Sequence, residues 1–161
     1  MTPLLAFYLG SHPDHRGRTL AHILGKDDDW LEGVHDYIQW LFPLDEHSRA
    51  VPGSPTLSRA DVEAFRTDSR LRQHMLDALR RMLGFYGLRV CDDGAVTKAP
   101  NWAERKSNWF THPTHNSLRI TRILKSLALV GLESEAARLQ ACLLDLCASE
   151  ADCGIPAASQ A

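Results

Sequence analysis

Cysteine, long apolar stretches and a surplus of charge are all scarce in this sequence, and each scarcity closes off a class of protein. The four cysteines among 161 residues, Cys91, Cys142, Cys147 and Cys153, have neither paired CxxC spacing nor the density of a secreted disulfide scaffold, so free thiols are expected. No stretch approaches the roughly 18 uninterrupted apolar residues that a bilayer crossing requires. The opening MTPLLAFYLG is apolar but lacks the basic flank of a secretory leader. A cytoplasmic protein without membrane insertion is the expectation. A formal charge of -2 exerts no global pull on nucleic acid or anionic lipid, so any anion site has to be a local patch. Also absent are a P-loop, a GxGxxG after a strand and a GxSxG elbow, which predicts no cofactor and argues against an enzyme with a local nucleophile motif.

What is present is ordinary globular composition. Apolar residues at 44% and charged residues at 24% place the chain far from disordered or collagen-like extremes, and its length suits one domain with one core. The predicted fold is all-α: a single-domain bundle of about six to seven helices over 1–148, with one small hairpin or an irregular connector near 88–100 and a disordered tail over 149–161.

Residues 1–17 read as a leading segment in which the cluster Gly10-Ser11-His12-Pro13-Asp14 breaks any early helix. Thr19 caps a short helix over Leu20 to Leu24, with Gly25 suited to a left-handed stop. Asp27, Asp28 and Asp29 favour a helix start, and Leu31, Val34, Tyr37, Ile38 and Leu41 continue at helical spacing until Pro43. Pro43 to Pro55 reads as a surface loop. Ser58 with Asp61 forms a capping box before a short helix carrying Val62 and Phe65. A longer helix carries Leu71, Met75, Ala78, Leu79, Met82, Leu83 and Tyr86 and stops near Gly87. Trp102 to Phe110 reads as partly helical. Asn116 caps a helix running to about Val130 with Gly131 at its stop, and a last helix carries Ala136, Leu139, Leu143, Leu146 and Cys147.

Two constellations carry possible chemistry. His115, Asn116, Arg119 and Arg122 stand where a loop enters a helix, and arginines three apart can converge on one carboxylate or phosphate. Lys125 extends that edge. In the blander alternative the arginines pair with Glu32 or Asp36 of another helix and Asn116 only caps. The second constellation is the run from His35 to Trp40: on a continuous helix His35, Asp36 and Gln39 share one polar face, and Trp40 either floors a pocket or fills the core. The pairs His12/His15 and His112/His115 supply four imidazoles, but both contain proline and sit in predicted turns without thiolates, so no metal is expected. Trp102, Arg105, Lys106 and Trp109 with the downstream basic residues interleave aromatics and cations over 102–125, the pattern of a nucleic-acid or nucleotide-associated protein. An enzyme with His35 or His115 as base is a third reading.

Three segments, HDYIQWLFPL from His35, MLGFYGLRV from Met82 and HNSLRITRILKSL from His115, resemble the opioid growth factor receptor conserved region in order and separation, and the likeness spans Phe7 to Leu146. The resemblance implies a helical domain and, through the animal member, a receptor for the pentapeptide Met-enkephalin that restrains cell growth and is associated with the nucleus. Without the long C-terminal extension and repeats of the animal relatives, the chain is similar in its compactness to bacterial members of the family. The leading expectation is a binding module that holds a peptide or small anionic ligand in a helical groove around Trp40, Asp36, Asn116, Arg119 and Arg122. His35, Gln39, Trp109 and His115 are further candidate contacts.

Overall fold

A computed structural model of the chain describes residues 1–155. They form two compact units, Met1–Ala78 with Leu129–Gly131, and Leu79–Ala128 with the chain from Leu132 onward. Among the described residues are nine α-helices, one 3-10 turn and two strands. The chain is therefore mostly helical with a small antiparallel sheet, rather than purely all-α.

The first unit begins with a helix the sequence reading did not place. The Thr2 hydroxyl accepts from the Leu5 N–H at 3.3 Å, and Pro3 at the first position sacrifices no needed donor, so α1 (Pro3–Tyr8) forms just ahead of the turn cluster. α2 (Leu20–Leu24) is capped by Thr19 as expected, but Gly25 closes it at φ -84, in the right-handed region rather than the left-handed one. The single helix expected from Asp27 to Leu41 is two: α3 (Asp28–Gly33) and α4 (Ile38–Leu41). Val34 is extended at φ -102, ψ 132. Gly33 is a poor helix interior residue and Val34 is β-branched, so the break falls where continuation is weakest. The capping box of Ser58 and Asp61 is present at the head of α5 (Arg59–Thr67).

The division between units falls inside α6 (Ser69–Tyr86). In the first unit its buried residues Leu71 and Met75 join a core with Phe7, Tyr8, Ile23, Leu31, Tyr37, Leu41 and Phe65. Each such burial contributes about 1.5–3 kcal/mol. The buried Tyr8 hydroxyl donates to the Leu41 carbonyl and lies 3.4 Å from the Met75 sulfur. Burial raises its pKa well above the usual phenol range.

In the second unit, α6 ends at Gly87, whose φ is +81. A Cβ there would stand 2.9 Å from the Trp102 Cα, so both the backbone and the space require glycine. The strands β1 (Leu88–Val90) and β2 (Val96–Lys98) pair antiparallel with Val90 opposite Val96. After α7 (Trp102–Arg105) and the 3-10 turn Lys106–Asn108 comes α8 (His115–Leu129). Asn116 is not its cap: the Thr114 hydroxyl accepts from the Asn116 N–H at 3.1 Å, and Asn116 lies inside the helix, fully buried. The last helix is α9 (Glu133–Ser149).

One further expectation changes at the chain end. Cys147 and Cys153 are joined in a disulfide, while Cys91 and Cys142 are free thiols. Spacing alone did not reveal the pair, because the chain reverses after α9 and returns Cys153 to the helix end. Burial and the nearby Asp145 raise the Cys142 pKa to about 11. Residues 150–155, part of the expected tail, make contacts with the second unit. Glu150 takes the ammonium of Lys98, Asp152 pairs with Lys106 at 3.0 Å, the Gly154 N–H donates to the Phe110 carbonyl at 2.8 Å, and Ile155 is buried. The remainder of the expected tail, 156–161, lies outside the described residues.

Candidate functional site

A connected polar cluster of the first unit grows from Asp14. Its backbone closes the turn by pairing with Arg18 and Gly17, and its Oδ1 accepts the N–H groups of Arg16 and Arg18, both at 2.9 Å. Its Oδ2 receives Arg18 Nε at 2.8 Å, and no part of the Asp14 side chain reaches solvent. Arg18 reaches on to Asp36 Oδ1 at 3.0 Å and the Asp36 carbonyl at 3.3 Å, with its guanidinium 5.4 Å over the Trp30 ring. Asp36 Oδ2 takes Arg16 Nε at 2.9 Å and faces His15 Nε2 at 3.4 Å. The Trp40 indole N–H donates to His15 Nδ1 at 3.0 Å, the two ring planes lying within 7° of parallel.

Each geometry has a chemical consequence. His15 Nδ1 accepts from an indole, so the ring proton belongs on Nε2, toward Asp36. With both nitrogens engaged, His15 is not placed to work as a general base. Two carboxylates balance two guanidiniums, and the frame holds Trp40 by its polar edge. Partial burial raises the Asp36 pKa, but hydrogen bonds from Arg18 and Arg16 and the charge of Arg18 outweigh it and hold the carboxyl below its ordinary value.

That depression fixes a sign. A carboxyl that binds its proton less readily when folded contributes stability above the ordinary carboxylate range, and the contribution is lost as pH falls through the lowered folded value. The urea midpoint is therefore expected to fall between pH 5 and pH 2, and Asp36→Asn to flatten part of the slope. An unchanged slope in that variant would remove Asp36 from the account. The Asp68 carboxyl, lowered to about 2 by Arg70, and Glu150, lowered by Lys98, add slope of the same sign.

Trp40 also lines an open cavity of about 290 Å³ together with Pro3, Leu4, Pro55, Thr2, Ser58 and Asp61. The walls are mainly apolar. At the polar end Asp61 accepts from the Thr2 hydroxyl at 2.8 Å and from the Ser58 N–H at 3.0 Å. A carboxylate has about four lone-pair sites, so its capacity is not exhausted.

The sequence-predicted site residues divide between the units. His35, Asp36, Gln39 and Trp40 belong to the first. With α3 and α4 broken apart they do not share one helical face: His35 is exposed, Asp36 joins the arginine cluster, and Gln39 is buried with its amide donating to the His35 carbonyl at 3.4 Å. Trp109, His115, Asn116, Arg119 and Arg122 belong to the second unit. Trp109 is fully buried and donates from Nε1 to the Tyr86 carbonyl at 2.9 Å. Arg119 is 5% exposed, its Nη1 3.5 Å from Asn116 Oδ1. His115 is exposed and Arg122 half-buried. Trp102 and Trp109 are both buried, so neither offers an open face on which a base could stack. Neither His35 nor His115 lines the Trp40 cavity. Among the described residues no group of three or more His, Cys, Asp or Glu is placed to hold a metal.

Asp14, His15, Arg16, Arg18 and Asp61 escaped the sequence reading as site residues. The run HPDHRGR held the available signal: a turn dense in charge, in which an aspartate precedes an arginine by four positions.

The sequence pattern of the opioid growth factor receptor (OGFr) conserved region matches residues 5–152. The chain is 47% identical over 113 residues to the opioid growth factor receptor of Mus musculus, covering 69% of this chain and 18% of that protein. It is 45% identical over 107 residues to that of Homo sapiens, covering 65% and 16%. It is 38% identical over 135 residues to opioid growth factor receptor-like protein 1 of Xenopus tropicalis, covering 81% and 26%. The chain thus spans only a minor part of the length of these relatives. All three are vertebrate proteins, whereas the sequence reading pointed to bacterial members. No solved structure matches the chain. Among the described residues no helix is long and apolar enough to cross a membrane.

Proposed function

The chain belongs to the opioid growth factor receptor conserved-region family, and from that premise we propose that it is a binding module holding a short peptide at the Trp40 cavity. The observation that carries this reading is the double use of Trp40: its N–H is fixed by His15 while its ring lines the cavity beside Pro3 and Pro55. A rigid aromatic wall with a small set of polar groups at one end is the usual form of a selective small-ligand site. An apolar side chain fills the cavity, and a peptide amine or amide donates to Asp61. Arg16, 66% exposed and bound to Asp36 through Nε, presents its terminal nitrogens to a ligand carboxylate. The relatives' name, receptor of a growth factor, is consistent with a peptide ligand.

The test is calorimetric titration of the full chain with Met-enkephalin and a panel of short peptides bearing aromatic or aliphatic residues. Saturable binding is expected, weakened at least tenfold, about 1.4 kcal/mol, by Trp40→Leu. Arg16→Ala should weaken only peptides with a free carboxylate. No binding by any peptide, or equal affinity in folded Trp40→Leu, sinks the reading.

A further inference from the structure

α9 breaks the rule that a surface helix carries one apolar face. Its inward face buries Leu139, Cys142, Leu143 and Leu146, yet its outward face is also apolar: Ala137, Ala141, Leu144 and Ala148 follow one another at helical spacing and are all exposed. Leu144 is 49% exposed. Beside this face lies a groove of about 370 Å³ lined from α8 by Leu124, Lys125 and Ala128 and from α9 by Ala136, Ala137 and Gln140. Exposed apolar side chains that follow one another on the face away from the core mark a surface suited to a partner.

We infer that α9 pairs antiparallel with α9 of a second copy of this chain about a two-fold axis, each Leu144 entering the other copy's α8/α9 groove. The register follows from the residues. Pairing centred between Gln140 and Ala141 sets Leu144 opposite Ala137, a large side chain against a small one on a wall of the groove. The same register sets Asp145 of one copy opposite Ala136 of the other, within a turn of Arg138. Arg138 and Asp145 lie on the same flank of α9, and a two-fold axis perpendicular to both helices keeps the two flanks together, giving two symmetric opposite-charge pairs. In each copy the Arg138 guanidinium lies over Gly94, and its five donors allow it to keep that seat and meet Asp145 of the other copy. Steric and charge self-complementarity together select a second copy over an unrelated helix, as an isologous interface requires.

Sedimentation velocity of the full chain across a concentration series tests this. The expected result is a concentration-dependent shift from 18.0 kDa to twice that mass, with Leu144→Glu raising the dimer Kd at least tenfold at unchanged helical circular dichroism. Should Leu144→Glu lose its fold, Ala141→Glu, on the same exposed face, carries the same expectation. Arg138→Asp should weaken association several-fold and the double variant Arg138→Asp with Asp145→Arg should restore it. A mass of 18.0 kDa up to the solubility limit overturns the inference. So does a folded Leu144→Glu or Ala141→Glu that associates as tightly as the parent.

Discussion

Asp14→Ala is expected to destabilise the protein by about 3 kcal/mol, the range found when one partner of a buried ion pair is removed. Three losses coincide. Arg18, whose side chain is 12% exposed, loses its closest carboxylate, and the N–H groups of Arg16 and Arg18 lose their shared acceptor. Against a typical total of about 5–15 kcal/mol, that is a large fraction. Asp14→Asn separates the contributions. Its side-chain oxygen still accepts both backbone donors, but its amide cannot take the Arg18 guanidinium, so about half the loss is expected. Arg16→Ala, at a side chain 66% exposed, should cost under about 1 kcal/mol. Urea denaturation of the four proteins at pH 7 measures the series. If Asp14→Ala matched Arg16→Ala, the cluster would be surface decoration rather than the frame of Trp40.

Trp109→Ala is expected to cost about 3–5 kcal/mol, the usual range for deleting a large buried aromatic side chain. The indole stands edge-on to Tyr86, Trp102 and Phe110, at centroid distances of 5.3, 5.9 and 5.5 Å. Its N–H is the donor for the Tyr86 carbonyl. Trp109→Phe keeps most of the apolar contact but leaves that carbonyl without the indole, and about 1–2 kcal/mol is expected. The ligand-contact reading of Trp109 makes the opposite forecast. A Trp109→Ala protein with near-parental stability and lost peptide affinity would support it, whereas a destabilised protein whose folded fraction binds peptide as before identifies a core residue. Denaturation and calorimetry on the same preparation decide between them.

Helices with strong periodicity and clear punctuation were legible in the residues. Leu71 to Tyr86 repeats every three or four positions and Gly87 can adopt φ +81, so α6 and its stop followed from spacing and sterics. Ser58 and Asp61 announced α5 because a capping box is a local device. The run from Asp27 to Leu41 was misleading for the complementary reason. Its apolar residues keep helical spacing across Gly33 and Val34, and periodicity does not register a backbone break when both fragments bury the same kind of side chain. Trp40 was recognised as a pocket residue or a core residue. It is 6% exposed and also lines a cavity, a combination that depends on what the surrounding loops leave open.

The sequence by itself determined the family, the helical character and most element boundaries, because these depend on local spacing, capping groups and matched segments. Tertiary structure alone decided which charges meet. One reading paired the arginines of α8 with Glu32 or Asp36; the guanidiniums that Asp36 takes come from Arg16 and Arg18 in the turn before α2. Folding brought Cys153 back to Cys147 and placed Asp61 beside Trp40. Ion pairs, disulfides and cavities join residues whose separation is set by chain reversals, and no period along the chain encodes the path of a reversal.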